Sequence, residues 1–312
     1  MSVNIITRAS IIRGPAIATF NSAVFYFKGD MKVELKLTVL DIDVDAFGAV
    51  IDGRVINRDV KVTGVPSGNW EAVQAVALPY GASAIGSSIF GSDKALTINT
   101  LAGTQIVFNA AAVTKLPDIY LSSAKTMLGS MEWTCIGTDN TDWAAANQLY
   151  TVSSVAFSDT SFTEPGIITD QWNGVWGSSA PWNAISTKDG FVISFDLGLE
   201  PVETDAEGLV DMTLTKLVAT AKFMPVGVTE TQLLGGLLLQ GTGAQRGRSL
   251  NATANNLVIT GVNSTKVITI GGANFVTADM GFGKGTLRAG EVALRSTRTF
   301  TAGAPASFFT VT

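Results

Sequence analysis

The chain has no histidine, which removes the side chain most often used as a general base and as a metal ligand. Carboxylate chemistry is the acid–base route left, and an enzyme is not the expectation. Cysteine is nearly absent too: Cys135 stands alone, so no internal disulfide can form, and a reducing, cytosolic origin fits. Charge is sparse at 15% of residues, against a usual ~25%. Net positive charge is missing as well: 21 Lys and Arg face 26 Asp and Glu, which argues against attraction to nucleic acid but allows a surface that lets nucleic acid pass. Long hydrophobic runs are also lacking. A spanning helix needs ~20 consecutive apolar residues, and the densest run, Leu233 to Leu239, contains Gly235 and Gly236. The opening "MSVNIITRAS" has no apolar core of a signal peptide. Yet 46% of residues are hydrophobic and the mean hydropathy is +0.31. Strands of an outer-membrane barrel, whose signal is faint, stay open as a reading, but membrane insertion is disfavoured and the expectation is that much of the surface is buried in an assembly.

What is present is a repeat. "NSAVFYFKGDMKVELKL" (21–37) aligns with "PWNAISTKDGFVISFDL" (181–197) at a spacing of 160. Val33 meets Ile193, Leu35 meets Phe195, Leu37 meets Leu197, Asp43 meets Glu203 and Asp45 meets Asp205. Extended backwards, the same spacing puts Gly14 opposite Gly174, and Ile12 and Ala16 opposite Trp172 and Trp176. Further on the spacing drifts by about one residue: Leu96 and Ile98 pair with Leu257 and Ile259, Asp118 with Asp279, and Gly129 with Gly290. Both copies end alike, in "LYTV" (149–152) and "FFTV" (308–311). Two copies are too few for a solenoid, and each is large enough for a domain. The expected domains are residues 1–155 and 156–312, joined near the Ser- and Thr-rich stretch 153–165.

Strand periodicity dominates each copy. "KVELKLTV" alternates Val33, Leu35, Leu37 and Val39 with Glu34, Lys36 and Thr38; "FVISFDLGL" repeats the arrangement. Segments such as "DGRVINRDVKVTGV", "ALTINT", "SMEWTCI" and "VDMTLTKLVATAKF" add strands rich in β-branched residues. One short helix per copy is expected. "TETQLLGGLLLQ" opens with Thr229 and Gln232 at capping-box spacing, and "GNWEAVQAVAL" holds the matching place. The fold class is therefore mainly β: two tandem sandwich- or barrel-like domains, each with one short α-helix.

"DIDVDAFGAVID" (41–52) is the stretch that most resembles a functional motif. Asp41, Asp43 and Asp45 fit the first positions of a calcium loop, but Ala46 stands where a glycine must turn, and Asp52 where a bidentate glutamate belongs. No metal site is expected. A carboxylate pair for glycoside chemistry has no sign of a cleft. As a strand, Ile42 and Val44 point one way and the three aspartates the other. The apolar phase flips near residues 39–41, as a β-bulge would make it do. The second copy carries Glu203, Asp205 and Glu207 in the corresponding place, so the six acids are an ordinary solvated face or one negative surface built jointly.

Trp172, Trp176 and Trp182 cluster in "WNGVWGSSAPW"; a carbohydrate platform is one reading, and packing or a subunit contact is the favoured one. "GTGAQRGRS" (241–249) lacks the Lys-Ser/Thr ending of a phosphate loop; it and "YGASAIGSSIFG" (80–91) read as loops. Cys135, without a histidine partner, reads as a small buried apolar residue. No catalytic residue and no cofactor are expected.

The stretches "IIRGPAIATFNSAVFYFKGD", "ALPYGASAIGSSIFGSDKALTINTLAGTQIVFNAAAVTKLPDIYLSSAKTMLGSMEW" and "DAEGLVDMTLTKLVATAKFMPVGV" give the chain a pattern that resembles the tail tube (major tail) proteins of long-tailed bacteriophages. The resemblance implies a β-sandwich with one helix, in which one sheet of each domain joins a continuous barrel around a lumen. Six single-domain subunits usually form a ring; a fused pair then needs three chains, a pseudo-hexameric homotrimer. Further implications are rings stacked into a tube, a tape-measure protein in the lumen, a tail terminator and tail-tip or baseplate proteins at the ends, and non-specific passage of DNA. Assembly in the host bacterial cytoplasm and a place in the virion tail follow. On this reading the six acids line the lumen. The alternatives are another tail, baseplate or capsid decoration β-protein, and a carbohydrate-binding β-sandwich.

Overall fold

A computed structural model of the chain describes residues 16–44, 49–67, 86–90, 94–122, 126–136, 149–157, 170–204, 208–236, 255–263, 266–283, 286–297, 300–301, 304–305 and 309–312. The protein is mainly β. The first half holds β1 (Ala16–Phe20), β2 (Ala23–Phe25), β3 (Lys32–Val44), β4 (Ala49–Gly64), β5 (Lys94–Thr100), β6 (Thr104–Lys115), β7 (Ile119–Leu121), β8 (Thr126–Leu128), β9 (Met131–Ile136) and β10 (Tyr150–Ser154). The second half holds β11 (Trp172–Trp176), β12 (Thr187–Thr204), β13 (Gly208–Pro225), helix α1 (Glu230–Gly236), β14 (Asn255–Gly261), β15 (Val267–Gly283), β16 (Thr286–Ser296), β17 (Phe300–Thr301), β18 (Ala304–Pro305) and β19 (Phe309–Val311).

The two halves repeat one topology. The first sheet runs β2-β1-β5-β6-β9-β4-β3 with β10 on β6; the second runs β11-β14-β15-β16-β13-β12 with β19 on β15, then continues into β7 and β8. The registers match residue by residue. β5 pairs with β6 through Leu96↔Phe108 and Ile98↔Ile106, and β14 with β15 through Leu257↔Ile270 and Ile259↔Ile268. Both ladders shift once at the same place, between Lys94 and Leu96 and between Asn255 and Leu257. The long hairpins agree as closely: β3–β4 shifts between Thr38 and Val39 and between Ile42 and Asp43, and β12–β13 between Gly198 and Leu199 and between Val202 and Glu203. The first of these shifts is the bulge that the apolar phase flip predicts, one residue ahead of the expected 39–41.

The alignment at the start needs correcting. Ala18 pairs with Ile98 as Gly174 pairs with Ile259, so β1 matches β11 at a spacing of 156. Trp172 therefore stands at Ala16 and Trp176 at Phe20, not at Ile12 and Ala16. Gly14 and Ile12 lie outside the described residues. The spacing of 160 does not reach back to β1 because the connection that follows is longer in the second half.

The corrected match explains the aromatic packing. In the first half Trp133, fully buried on β9, meets Phe20, Phe25 and Phe27 edge-on with ring centroids 5.5–6.3 Å apart. In the second half the position of Trp133 holds Leu294, while Phe20 has become Trp176 and Val113 has become Phe275. Trp176 and Trp182 each pack on Phe275, at 4.7 and 4.6 Å. Ring volume has moved across the core without changing the pattern, the kind of swap that cores tolerate best.

α1 begins with the capping box expected from its sequence. The Thr229 amide donates to Gln232 Oε1 at 2.9 Å, and the Gln232 amide donates to Thr229 Oγ1 at 3.4 Å. Leu233 is fully buried and seats the helix. The helix expected in "GNWEAVQAVAL" lies outside the described residues.

Candidate functional site: strand edges and hairpin tips

Pro117 and the short "IYL" that follows shape the junction between the halves. β6 ends at Lys115, just before Pro117, which has no amide hydrogen to extend a ladder. The chain then re-enters as β7 on a different sheet, against β12 of the second half, in the register Phe191↔Leu121, Val192↔Tyr120 and Ile193↔Ile119. All four apolar residues on the inner face of this pairing are buried: Ile119, Leu121, Phe191 and Ile193. β7 and β8 thus extend the second half's sheet with strands from the first.

The matching segment of the second half does not cross. It is the end of the long β15–β16 hairpin, where Met280↔Ala289 and Phe282↔Leu287 repeat Ile119↔Leu128 and Leu121↔Thr126 at a spacing of 161. Gly129 and Gly290 are needed at the same point. A methyl on either would press against Asp118 or Asp279, which accounts for the two sequence matches Asp118/Asp279 and Gly129/Gly290.

A second contact joins the halves. Residues 86–90 run beside β13: the Gly86 amide donates to the Leu214 carbonyl at 2.8 Å, the Ile89 amide to Met212 at 2.9 Å, and the Leu214 amide to Ser87 at 3.1 Å. Ser88 Oγ donates to Asp211 at 2.6 Å. Phe90, Ala110, Ala112 and Ile136 form a small core there, with Leu209 and Met212 packed on it.

Of the acidic candidates, Asp41, Asp43 and Glu203 fall toward the far ends of the two long hairpins. Asp41 is exposed on β3 opposite Gly53, and Glu203 is exposed near the end of β12. Asp43 sits on β3 at the register position of Glu203, each just past the second bulge. Asp45, Asp205 and Glu207 lie outside the described residues. Among the described residues Asp41 and Glu203 make no ion pair, whereas acids elsewhere on the sheets do: Glu34 with Lys32 at 2.7 Å, Glu132 with Lys61 at 3.4 Å, Glu291 with Lys222 at 3.0 Å, and Asp196 with Lys216. The hydrogen bond from Lys32, and then its charge, hold the Glu34 carboxyl below its ordinary range. The first tip is not uniformly acidic, since exposed Arg54 stands opposite Leu40.

The tryptophans are packing residues by position. Trp172 and Trp182 are buried, and half-buried Trp176 donates its Nε1 hydrogen to the Ala273 carbonyl at 2.7 Å. Cys135 is fully buried, and burial pushes its thiol up to about 12. One open cavity of about 540 Å³ lies in the first half beside Leu35, Leu37, Val60 and Tyr150. In the second half Phe195 instead packs on Phe309 at 4.9 Å. Among the described residues there is no metal-ligand cluster, and no helix is long and apolar enough to cross a membrane. The chain matches no protein-family model and no curated protein.

The edge strands β7 and β8 leave little trace in the sequence. β7 is three residues long, too short for periodicity to register. Pro117 was the available signal, because it ends one ladder just before an apolar triplet.

Proposed function

We propose that the chain is a structural virion protein, a tail tube subunit carrying two tube-forming domains. Three chains form a pseudo-hexameric ring, and rings stack into the conduit for genome delivery. The observation that carries this reading is the edge-to-edge junction, in which β7 and β8 of one repeat extend the sheet of the other. Two register-matched repeats joined in this way are two consecutive members of a ring. Ring closure removes the open sheet edges, which otherwise invite aggregation. Stacking buries apolar surface and fits a chain with so few charges.

The candidate acids, Asp41, Asp43, Asp45, Glu203, Asp205 and Glu207, face the lumen on this reading. Their charge keeps DNA phosphate from adhering during passage. The partners are the same chain, a tape-measure protein, a tail terminator and tail-tip proteins. Negative-stain microscopy of the purified protein tests the proposal. Hollow, regularly striated tubes support it. Monomers that bind glycans favour a carbohydrate-binding sandwich, and isolated capsid-binding particles favour a decoration protein.

A further inference from the structure

The first repeat covers the second at two places, and among the described residues its own matching places are open. β7 covers β12 at Phe191–Ile193; the matched segment is Met31–Val33, and among the described residues β3 pairs only with β4. Residues 87–89 cover β13 at Asp211–Leu214; the matched segment of β4, Asp52–Val55, pairs only with β3 among the described residues. Burial follows the same division. Phe191, Ile193 and Leu214 are 1%, 0% and 0% exposed, whereas Met31 and Val33 are half-buried and Val55 is 40% exposed.

The counterpart of β7 is open as well. β14 and β19 pair with β15 only between Val267 and Ala273, so among the described residues the Met280–Phe282 stretch has β16 on one side and no strand on the other. Among the described residues the chain thus carries a donor strand and an acceptor edge that are not paired with each other. Their pairing in a related form is already visible between its two halves.

We infer that Met280–Phe282 of one chain adds to the β3 edge of a second copy, antiparallel, in the register Met31↔Phe282, Lys32↔Gly281 and Val33↔Met280. This register transfers the observed Phe191↔Leu121, Val192↔Tyr120 and Ile193↔Ile119 through the repeat. The chemistry transfers with it. Apolar residues oppose apolar ones at both outer pairs, and Gly281 opposite Lys32 leaves room for the long side chain. An exposed lysine on an edge strand ordinarily guards against random pairing; here Lys32 donates to Glu34 at 2.7 Å, which partly neutralises it.

The contact is head-to-tail: each chain gives one strand and accepts one, so the series closes into a ring or runs on as a fibre. The inference rests on the ring reading for that closure, while the register rests on the internal repeat.

Paired cysteines test the register. Directly opposed residues in an antiparallel ladder have Cα atoms ~4.5–5.5 Å apart, within the ~4.4–6.8 Å a disulfide spans. The chain carrying both Val33→Cys and Met280→Cys is expected to form covalent dimers and trimers under mild oxidation. Because a one-residue slip sends the side chain to the other face, Lys32→Cys with Met280→Cys should give about tenfold less. Tyr120→Cys with Val192→Cys, on the junction within the chain, should close at monomer mass and shows that the chain folds and oxidises. Microscopy of the same samples separates the two claims. If rings assemble and the internal pair closes but Val33→Cys/Met280→Cys stays monomeric, the strand pairing is wrong and the ring reading survives. If neither rings nor cross-links form at any concentration, both fail. Cross-linked chains that never close support the pairing and refute the trimer.

Discussion

Gly190 and Gly29 allow the seat of β7 to be weighed against a built-in control. Both have positive φ, +88° and +82°; Gly190 lies within β12, one residue ahead of its pairing with β7, and Gly29 lies just ahead of β3. An alanine at either meets the same backbone penalty, about 1–2 kcal/mol for a left-handed L-residue. Their surroundings differ. A methyl on Gly190 would run into the Leu121 carbonyl oxygen and lie 2.9 Å from Ser122 Cα, both backbone atoms that cannot rotate aside. A methyl on Gly29 would have nothing within 4 Å. Overpacking that shifts backbone adds about 1–3 kcal/mol. Gly29→Ala should therefore lose about 1–2 kcal/mol, and Gly190→Ala about 2–5 kcal/mol. Urea unfolding followed by tryptophan fluorescence, at a protein concentration low enough to prevent assembly, measures both. Equal losses, or a harmless Gly190→Ala, would refute the seating of β7 on β12.

Other outcomes follow from single residues. Trp133→Ala empties the centre of the first core and should lower stability by about 3–5 kcal/mol, checked by denaturant unfolding. Thr229→Ala removes one half of the capping box and should lose about 1 kcal/mol; Thr229→Ser should recover most of it. Cys135 should be inert to thiol reagents in the folded chain and react once urea unfolds it. Its folded pKa, about 12, lies above the ordinary 9.0. The unfolded state therefore releases this proton first, and stability falls as pH rises between those values, by about 1.4 kcal/mol per pH unit. Cys135→Ala should lack that component when the two pH profiles are compared. If the chain assembles into tubes as proposed, those in which the six candidate acids are changed to Asn or Gln should retain added short DNA on sedimentation, while unaltered tubes exclude it.

Much of the fold was legible because the repeat preserves what a ladder needs. Apolar alternation fixed the faces of β3 and β12, and the phase flip at Val39 and Leu40 announced a bulge that both hairpins share. The Asp43/Glu203 match proved to be a match of register. Local chemistry also read correctly where it is self-contained, as in the Thr229–Gln232 cap. What stayed hidden depends on chain connections or on long-range pairing. The spacing drops to 156 at β1 because a turn changes length, and no local pattern records that. The apolar face of "KVELKLTV" gives no sign that Leu35 and Leu37 are each 60% exposed. Nor does "IYL" reveal which sheet it joins, since partner choice is set by β12, seventy residues away.

The most direct measurement is an electron-microscopy reconstruction of the assembled particle. It should show three chains, a mass three times the 32.6 kDa chain, as six sandwiches around a central opening. The sheet should pass from β15 of each chain into β3 of the next, as it passes from β7 into β12 within the chain. Six full chains in a ring, or neighbours that meet through other faces with the β3 edge left bare, would contradict the account.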